Sequence, residues 1–317
     1  MEIDIIGLDD LPVLDILLSI NRLPKTNESM LALGQSWQGG GKVATALAAA
    51  GRLGARAGII GVVGADSAGR FLQADFQRHN VDTSHLVLEP GETTTFSVAL
   101  AEKETQGRSF IGALGTCRKL KVEDVDLSYL AKAKYLHLWE MTPAAVVAAR
   151  FAKEHGVTVV FDGDQHDEKT FRHLELIDVL IASEYFCKPG PSLRENCRSL
   201  LEAGPHTVVI TLGDKGCVGD WKGGAFFEQP AFTGMPIVDT TGAGDVFHGA
   251  FICGLLQSMD IPGCARFASA VSVIKCGYSG GRAGIPDADT VRRFLWDGTL
   301  DTEGMEERAR FYKHCPL

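Results

Sequence analysis

Short apolar runs of strand length recur along this chain with helix-length segments between them. IDIIGL (3–8), AGIIGVVG (57–64), KYLHLW (134–139), VTVVFDGD (157–164), DVLIAS (178–183) and HTVVITLG (206–213) are mostly continuous rather than alternating. A strand of that kind is buried on both faces, which happens where helices cover both sides of a parallel sheet. The segments KVATALAAAGRLG (42–54), AGRFLQADFQRHN (68–80), PAAVVAARFAKEHG (143–156) and LRENCRSLLEAG (193–204) have helical spacing, and several stop on Gly or Asn. The alternation predicts a doubly wound, mostly parallel α/β sheet. With 317 residues there is chain enough for one large domain or two smaller ones.

Two stretches break the rhythm. VLDILLSINRLPKTNESMLALGQSWQ (13–38) and TTTFSVALAEKETQGRSFIG (93–112) carry strand-like runs with polar turns and no helix. They are expected to leave the main sheet and pair as a small β lid, over a core formed by residues 1–12, 39–92 and 113–317. The tail beyond residue 300 is charged and reads as peripheral.

Composition excludes several classes of function. The formal charge is −9, from 31 basic and 40 acidic residues, and no lysine/arginine block suggests a nucleic-acid partner. No apolar run reaches the roughly 18 residues of a membrane helix, so no membrane partner is expected. No signal-peptide pattern opens the chain, which reads as cytoplasmic. Cysteines stand at Cys117, Cys187, Cys197, Cys217, Cys253, Cys264, Cys276 and Cys315, with no CxxC pair and no zinc-type spacing. They read as free thiols of a reducing compartment.

The glycine-rich segments carry the chemistry. GGGKVA (39–44) fits G-x-G-x-x-A, but it follows LALGQSWQ rather than a buried strand, so a nicotinamide-binding reading lacks its context. Three glycines at a helix start bring backbone close to a ligand; they equally make a tight turn into a helix burying Val43, Leu47, Ala50 and Leu53. In IVDTTGAGDVFHGAF (237–251), small residues leave amides open at the start of a helix, where the dipole also favours an anion. Asp245 beside a phosphoryl site would serve as a base for the attacking hydroxyl, or would merely favour a helix's first turn. Asp162 and Asp164 close a strand at the rim where open sheets bind ligands, and they suit a sugar hydroxyl, a hydrated metal or a helix cap. His166 follows them as a candidate substrate contact. His248, one turn after Asp245, reads as a packing residue.

DTTGAGDVFHGAF (239–251) closely resembles the C-terminal signature of the ribokinase-like (PfkB) carbohydrate kinases, and GGGKVATALAAAGRLG (39–54) resembles their N-terminal one, with Thr45 where many members have Asn. The resemblance implies an α/β domain with a β lid and transfer of the ATP γ-phosphoryl group to a primary hydroxyl of a sugar. It implies Asp245 as the base and Gly242, Ala243 and Gly244 as the anion hole. Asp15, Gly40 and Gly41 match sugar-holding positions, and Thr211, Gly213 and Gly216 match the nucleotide-side loop. Asp239 and Thr241 match part of a monovalent-cation site, implying K⁺. Mg²⁺ is often organised by Asn-x-x-Glu; here the place reads Ser183-Glu184-Tyr185-Phe186, leaving Glu184 to hold the ion through water. Lids in the family often pair, so a homodimer through the lid is expected.

Further stretches, including DGD (162–164), QPAF (229–232) and GGRAGIPD (280–287), resemble the sulfofructose kinase branch. Ungapped placement puts Ser29, Gly112 and Glu140 where that branch binds the sulfonate with a lysine, an asparagine and an arginine. The acceptor is therefore expected to be a ketose or furanose-type sugar without a sulfonate, with Glu140 toward a cationic or hydroxyl-rich end. The alternatives are a nucleoside kinase, or a catalytically silent regulator that binds sugar or nucleotide.

Overall fold

The computed structural model describes residues 2–9, 11–105 and 107–314, so Cys315 lies outside the described residues. The large sheet is built from β1 (Ile3–Asp9), β4 (Ala57–Gly64), β5 (Val81–Glu89), β8 (Ala133–Leu138), β9 (Thr158–Gly163), β10 (Val179–Ser183), β11 (Thr207–Thr211), β12 (Cys217–Trp221) and β13 (Phe227–Gln229). Its order is β13-β12-β11-β10-β9-β8-β1-β4-β5; pairing is parallel from β5 through β11 and antiparallel at β12 and β13.

Residues of alternating parity in one strand enter different cores, because side chains of a strand point to opposite faces. Ile5 and Ile59 pack with α1 (Lys42–Arg52), α2 (Ser67–Arg78), α7 (Ala243–Leu256), α8 (Ile261–Lys275) and α9 (Ala288–Asp297). Ile6 and Ile60 pack with α3 (Leu127–Leu130), α4 (Pro143–Glu154) and α6 (Leu193–Ala203) on the other face. The short α5 (Glu168–Phe171) follows β9. The expected doubly wound sheet is present.

A second sheet has the order β3-β2-β6-β7, from β2 (Val13–Ile20), β3 (Gly34–Gly40), β6 (Phe96–Glu102) and β7 (Arg108–Ala113). Only β2 and β6 are parallel; the other pairs are antiparallel. Its two halves leave the main sheet after the C-terminal ends of β1 and β5, so it stands over that rim.

Several elements escaped the sequence. β5 alternates polar and apolar residues as an edge strand, β12 and β13 are short, and α8 and α9 follow α7 with no strand between. The charged tail is not peripheral. It forms α10 (Glu303–His314), which buries Met305, Arg308 and Tyr312 at helical spacing under a charged outer face.

Candidate active site

The parallel strands end at Asp9, Gly163, Ser183 and Thr211 on one rim, the edge at which open α/β sheets meet their ligands. Asp9 is buried there and accepts from the N–H groups of Leu11 (3.0 Å) and Ala44 (2.9 Å), seating the start of α1 against β1. That contact delivers Gly39, Gly40 and Gly41 to the rim. The bond that seats α1 reaches 35 residues along the chain, so nothing local in the sequence marks Asp9 for it.

Gly40 lies against Asp15 of the second sheet. A Cβ at Gly40 would stand 2.1 Å from Asp15 Oδ2, so no larger residue fits beside that carboxylate. The Ser97 hydroxyl donates to Asp15 Oδ1 at 2.6 Å from the neighbouring strand. Burial raises the Asp15 pKa above the usual carboxylate value, with the Ser97 bond pulling against it.

The loop is held from behind by residues the sequence reading missed. Arg282, fully buried, donates to the Gly40 carbonyl (3.1 Å) and pairs with buried Asp75 (2.7 Å). The amides of Arg282 and Ala283 donate to Gln38 Oε1 at 2.9 and 3.0 Å. Tyr312 of α10 donates to Asp75 at 2.6 Å and contacts His79 Nε2 at 2.8 Å. Burial drives His79 down to about 3, so it is neutral.

Across the cleft, α7 begins at Gly242, whose φ of 73° is left-handed, and no side chain caps the first turn. The Ala243 amide donates to the Thr240 carbonyl at 3.1 Å. Of the three amides expected there from the sequence, those of Gly242 and Gly244 have no protein acceptor among the described residues. Thr45 of α1 packs its methyl group toward Gly242.

Asp245 stands in this first turn, half-buried. Burial, then the Asp162 and Asp15 charges, pushes its pKa up to about 8, against the pull of Lys42 and Lys275. Lys42 ties the acids together, 3.0 Å from Asp164 and 3.8 Å from Asp162. Burial works against the Lys42 charge, but Asp162, Asp164 and Asp245 outweigh it and raise its pKa. His248 lies 3.6 Å from Asp162 and stacks on His137. Burial lowers both imidazoles to about 3, so His248 is a neutral packing residue, as its position in α7 suggested.

This electrostatic arrangement gives a test of Asp245 as a base. A base must be ionised in the free protein for kcat/KM to be full. With Asp245 held near 8, kcat/KM should rise with pH and level off only above about 8. Asp162→Asn removes a charge that raises Asp245 and should move the rise to lower pH. An unshifted profile in that variant would remove Asp245 as the titrating group.

On the other side, Thr211 ends β11 and donates to the Ala182 carbonyl (3.2 Å), and Gly213 and Gly216 bracket one 3-10 turn. Ser183 donates to the Asp164 carbonyl and accepts from the Tyr185 amide (3.2 Å), while Phe186 is buried. Neither is free to hold a metal. Glu184 is exposed at the end of β10. Among the described residues no group of three or more His, Cys, Asp or Glu side chains gathers for a metal ion. Magnesium, a hard cation that keeps waters and takes one or two carboxylates plus substrate phosphates, still suits this rim.

Two further expected residues have other neighbours. His166 is exposed and rests its ring on Phe171, 4.3 Å between centroids. Glu140 lines a pocket of about 180 Å³ with Leu11, Thr95 and Trp139, its carboxylate 3.9 Å from Lys119 Nζ.

The chain matches the model of the pfkB family carbohydrate kinases over residues 9–288. It is 29% identical over 297 residues to a ribokinase of Haemophilus influenzae, covering 89% of this chain and 95% of the relative. It is also 29% identical over 287 residues to an ATP-dependent ribose-1-phosphate kinase of Halopiger xanaduensis, covering 89% and 94%. The fold superimposes on Arabidopsis thaliana ribokinase complexed with ribose and ATP, with a TM-score of 0.80 at 24% identity, over 93% of this chain and 99% of that one. A putative ribokinase II from E. coli in complex with ATP and Mg²⁺ gives 0.81 at 22% identity, over 92% and 99%. A family match running from the acid that seats α1 to the start of α9 takes in both glycine loops, and the chain belongs to the pfkB family of carbohydrate kinases, phosphotransferases with a hydroxyl acceptor.

Proposed function

We propose that the protein transfers the γ-phosphoryl group of ATP to a primary hydroxyl of a ketose or furanose-type sugar that carries no sulfonate. One observation carries this reading: the Asp245 carboxyl sits in the first turn of a helix with open amides, within electrostatic reach of Asp15. Asp245 takes the proton of the acceptor hydroxyl as that oxygen bonds to the γ-phosphorus and the bond to the β,γ-bridging oxygen breaks, releasing ADP. The amides of Gly242 and Gly244 stabilise the charge on the transferring group, so positioning and electrostatics do most of the catalysis.

Asp15, Gly40 and Gly41 hold sugar hydroxyls, and Thr211, Gly213 and Gly216 shape the nucleotide side. Magnesium, carried in by the phosphates, supplies charge neutralisation. Glu184 is the carboxylate at that rim suited to hold it through water. Against a sulfonate, Ser29, Gly112 and Glu140 offer no cation where the related branch has two. Lys119 already partners Glu140, which favours a neutral, hydroxyl-rich sugar over an aminated one.

ADP release with Mg·ATP across ketoses, pentoses, amino sugars, sulfofructose and nucleosides tests the reading. A neutral sugar should be the best acceptor. Asp15→Asn should raise its KM roughly 10- to 100-fold, the worth of one hydrogen bond to a charged group. Sulfofructose or a nucleoside as best acceptor would overturn the substrate class. Silence across the panel would favour a binder without turnover.

A further inference from the structure

The loop that leads into α7 is held from beneath by a lysine. Lys275, the last residue of α8, is fully buried, and its ammonium donates to the main-chain carbonyls of Asp239 (3.0 Å) and Thr241. The rest of the loop is fastened to the same place. The amides of Val238 and Asp239 donate to the Cys276 carbonyl at 2.8 and 3.0 Å. Asp239 Oδ1 accepts from the Thr241 amide (2.7 Å) and Oδ2 from the Gly280 amide (2.8 Å). The Ser272 hydroxyl donates to the Ala243 carbonyl at 3.0 Å.

Carbonyl oxygens converging near a buried carboxylate form the surroundings in which a potassium ion exchanges its water for protein oxygens. The sequence resemblance puts a monovalent cation at Asp239 and Thr241. The residues present do not fit one. An ammonium, itself a monovalent cation with three donors and no acceptor, already engages both carbonyls. A second cation there would meet the like charge of Lys275 at close range in a buried site, where repulsion is less screened than in water. The C-terminal end of α8 adds a favourable dipole for the charge that is present.

We propose that Lys275 is a built-in replacement for the monovalent cation, its charge fixing the 239–242 loop and the amides of Gly242 and Gly244, so that phosphoryl transfer runs without potassium. The proposal rests on the kinase reading above. Lys275 touches neither reactant and acts as a positioning residue. Its charge also pulls the Asp245 pKa down, so removing it should move the pH profile as well as the rate. A tethered cation is never lost at low salt, whereas a free ion gives up translational freedom each time it binds.

The test compares potassium, sodium and tetramethylammonium chlorides at equal ionic strength, reading both ADP release and melting temperature. Wild-type protein should give the same turnover and the same melting temperature in all three. A rise in either with potassium, absent with tetramethylammonium, would overturn the proposal. Lys275→Ala should lose about 10²–10³-fold in kcat in tetramethylammonium, the cost of a disturbed anion hole. Potassium or methylammonium should then restore at least about tenfold of that loss, and raise the variant's melting temperature by binding the vacated carbonyls. The rise of its kcat/KM with pH should lie above the wild-type one without added cation and return with it. A folded variant that keeps full activity, or that no cation rescues, sinks the idea. If Lys275→Ala does not fold, the wild-type comparison decides alone. If no acceptor turns over, the kinase reading fails, while the melting temperatures still judge the cation site.

Discussion

Asp245→Asn should lower kcat by ~10²–10⁴-fold, the usual worth of a general base, while leaving KM for sugar and nucleotide nearly unchanged. The side chains have almost the same shape, so the first turn of α7 and its open amides keep their geometry. Only the ability to take a proton is lost. The competing account makes Asp245 a helix-favouring acid, and magnitudes separate the two. A first-turn acid contributes about 0.3–1 kcal/mol to stability and nothing to turnover. Here Asp245 is crowded by Asp162 and Asp15, so the neutral variant should melt at the same temperature as wild type or higher. A kcat loss below tenfold, or a lowered melting temperature with kcat intact, would return Asp245 to a structural role.

Asp75→Asn should destabilise the fold by about 3–5 kcal/mol, because it leaves a buried guanidinium without its counter-charge. Arg282 and Asp75 are both essentially inaccessible, and their side chains meet at 2.7 Å. The variant keeps an oxygen for Tyr312, so the loss reports the charge rather than that hydrogen bond. The effect should not stop at stability. Arg282 also holds the Gly40 carbonyl, and Gly40 packs on Asp15, so the sugar KM should rise in the fraction that folds. Chemical denaturation measures the first effect and acceptor titration the second. Arg22→Ala, which breaks an exposed pair with Glu28, serves as the control and should change neither. A loss under about 1 kcal/mol for Asp75→Asn would mean that water or another group reaches Arg282.

What the sequence made legible followed locality. β1, β4 and β8 to β11 are continuous apolar runs, and the DTTGAGD loop keeps its glycines and Asp245 within a few residues of one another. Physical reasoning on that stretch alone offered a phosphoryl site with a base and left a helix-favouring acid open beside it. β5 was hidden because an edge strand alternates, and α10 because its charged surface masks a stripe of Met305, Arg308 and Tyr312. In the site, the missed residues are those whose partners are remote. Gln38 meets Arg282 across 244 positions, and Asp75 meets Tyr312 across 237. A lone Lys275 ahead of a cysteine carries no signal until the fold sets it beneath the loop. Ala243 was read as an open amide because sequence cannot reveal that its N–H turns back onto Thr240.

The bonds that shape Gly40 have a consequence for how the protein comes into being. Its loop is made long before the residues that hold it, since the guanidinium that grips it belongs to residue 282 and the hydroxyl that steadies the counter-ion to residue 312. Contacts so distant along the chain close late and slowly, since a large loop must be ordered before any of them forms. Until then the first βα segment exists with an unfinished glycine loop and exposed apolar surface. A nascent chain that has completed most of its large sheet therefore still lacks the contacts that shape Gly40, and that part of the rim should take its final form after the sheet beneath it.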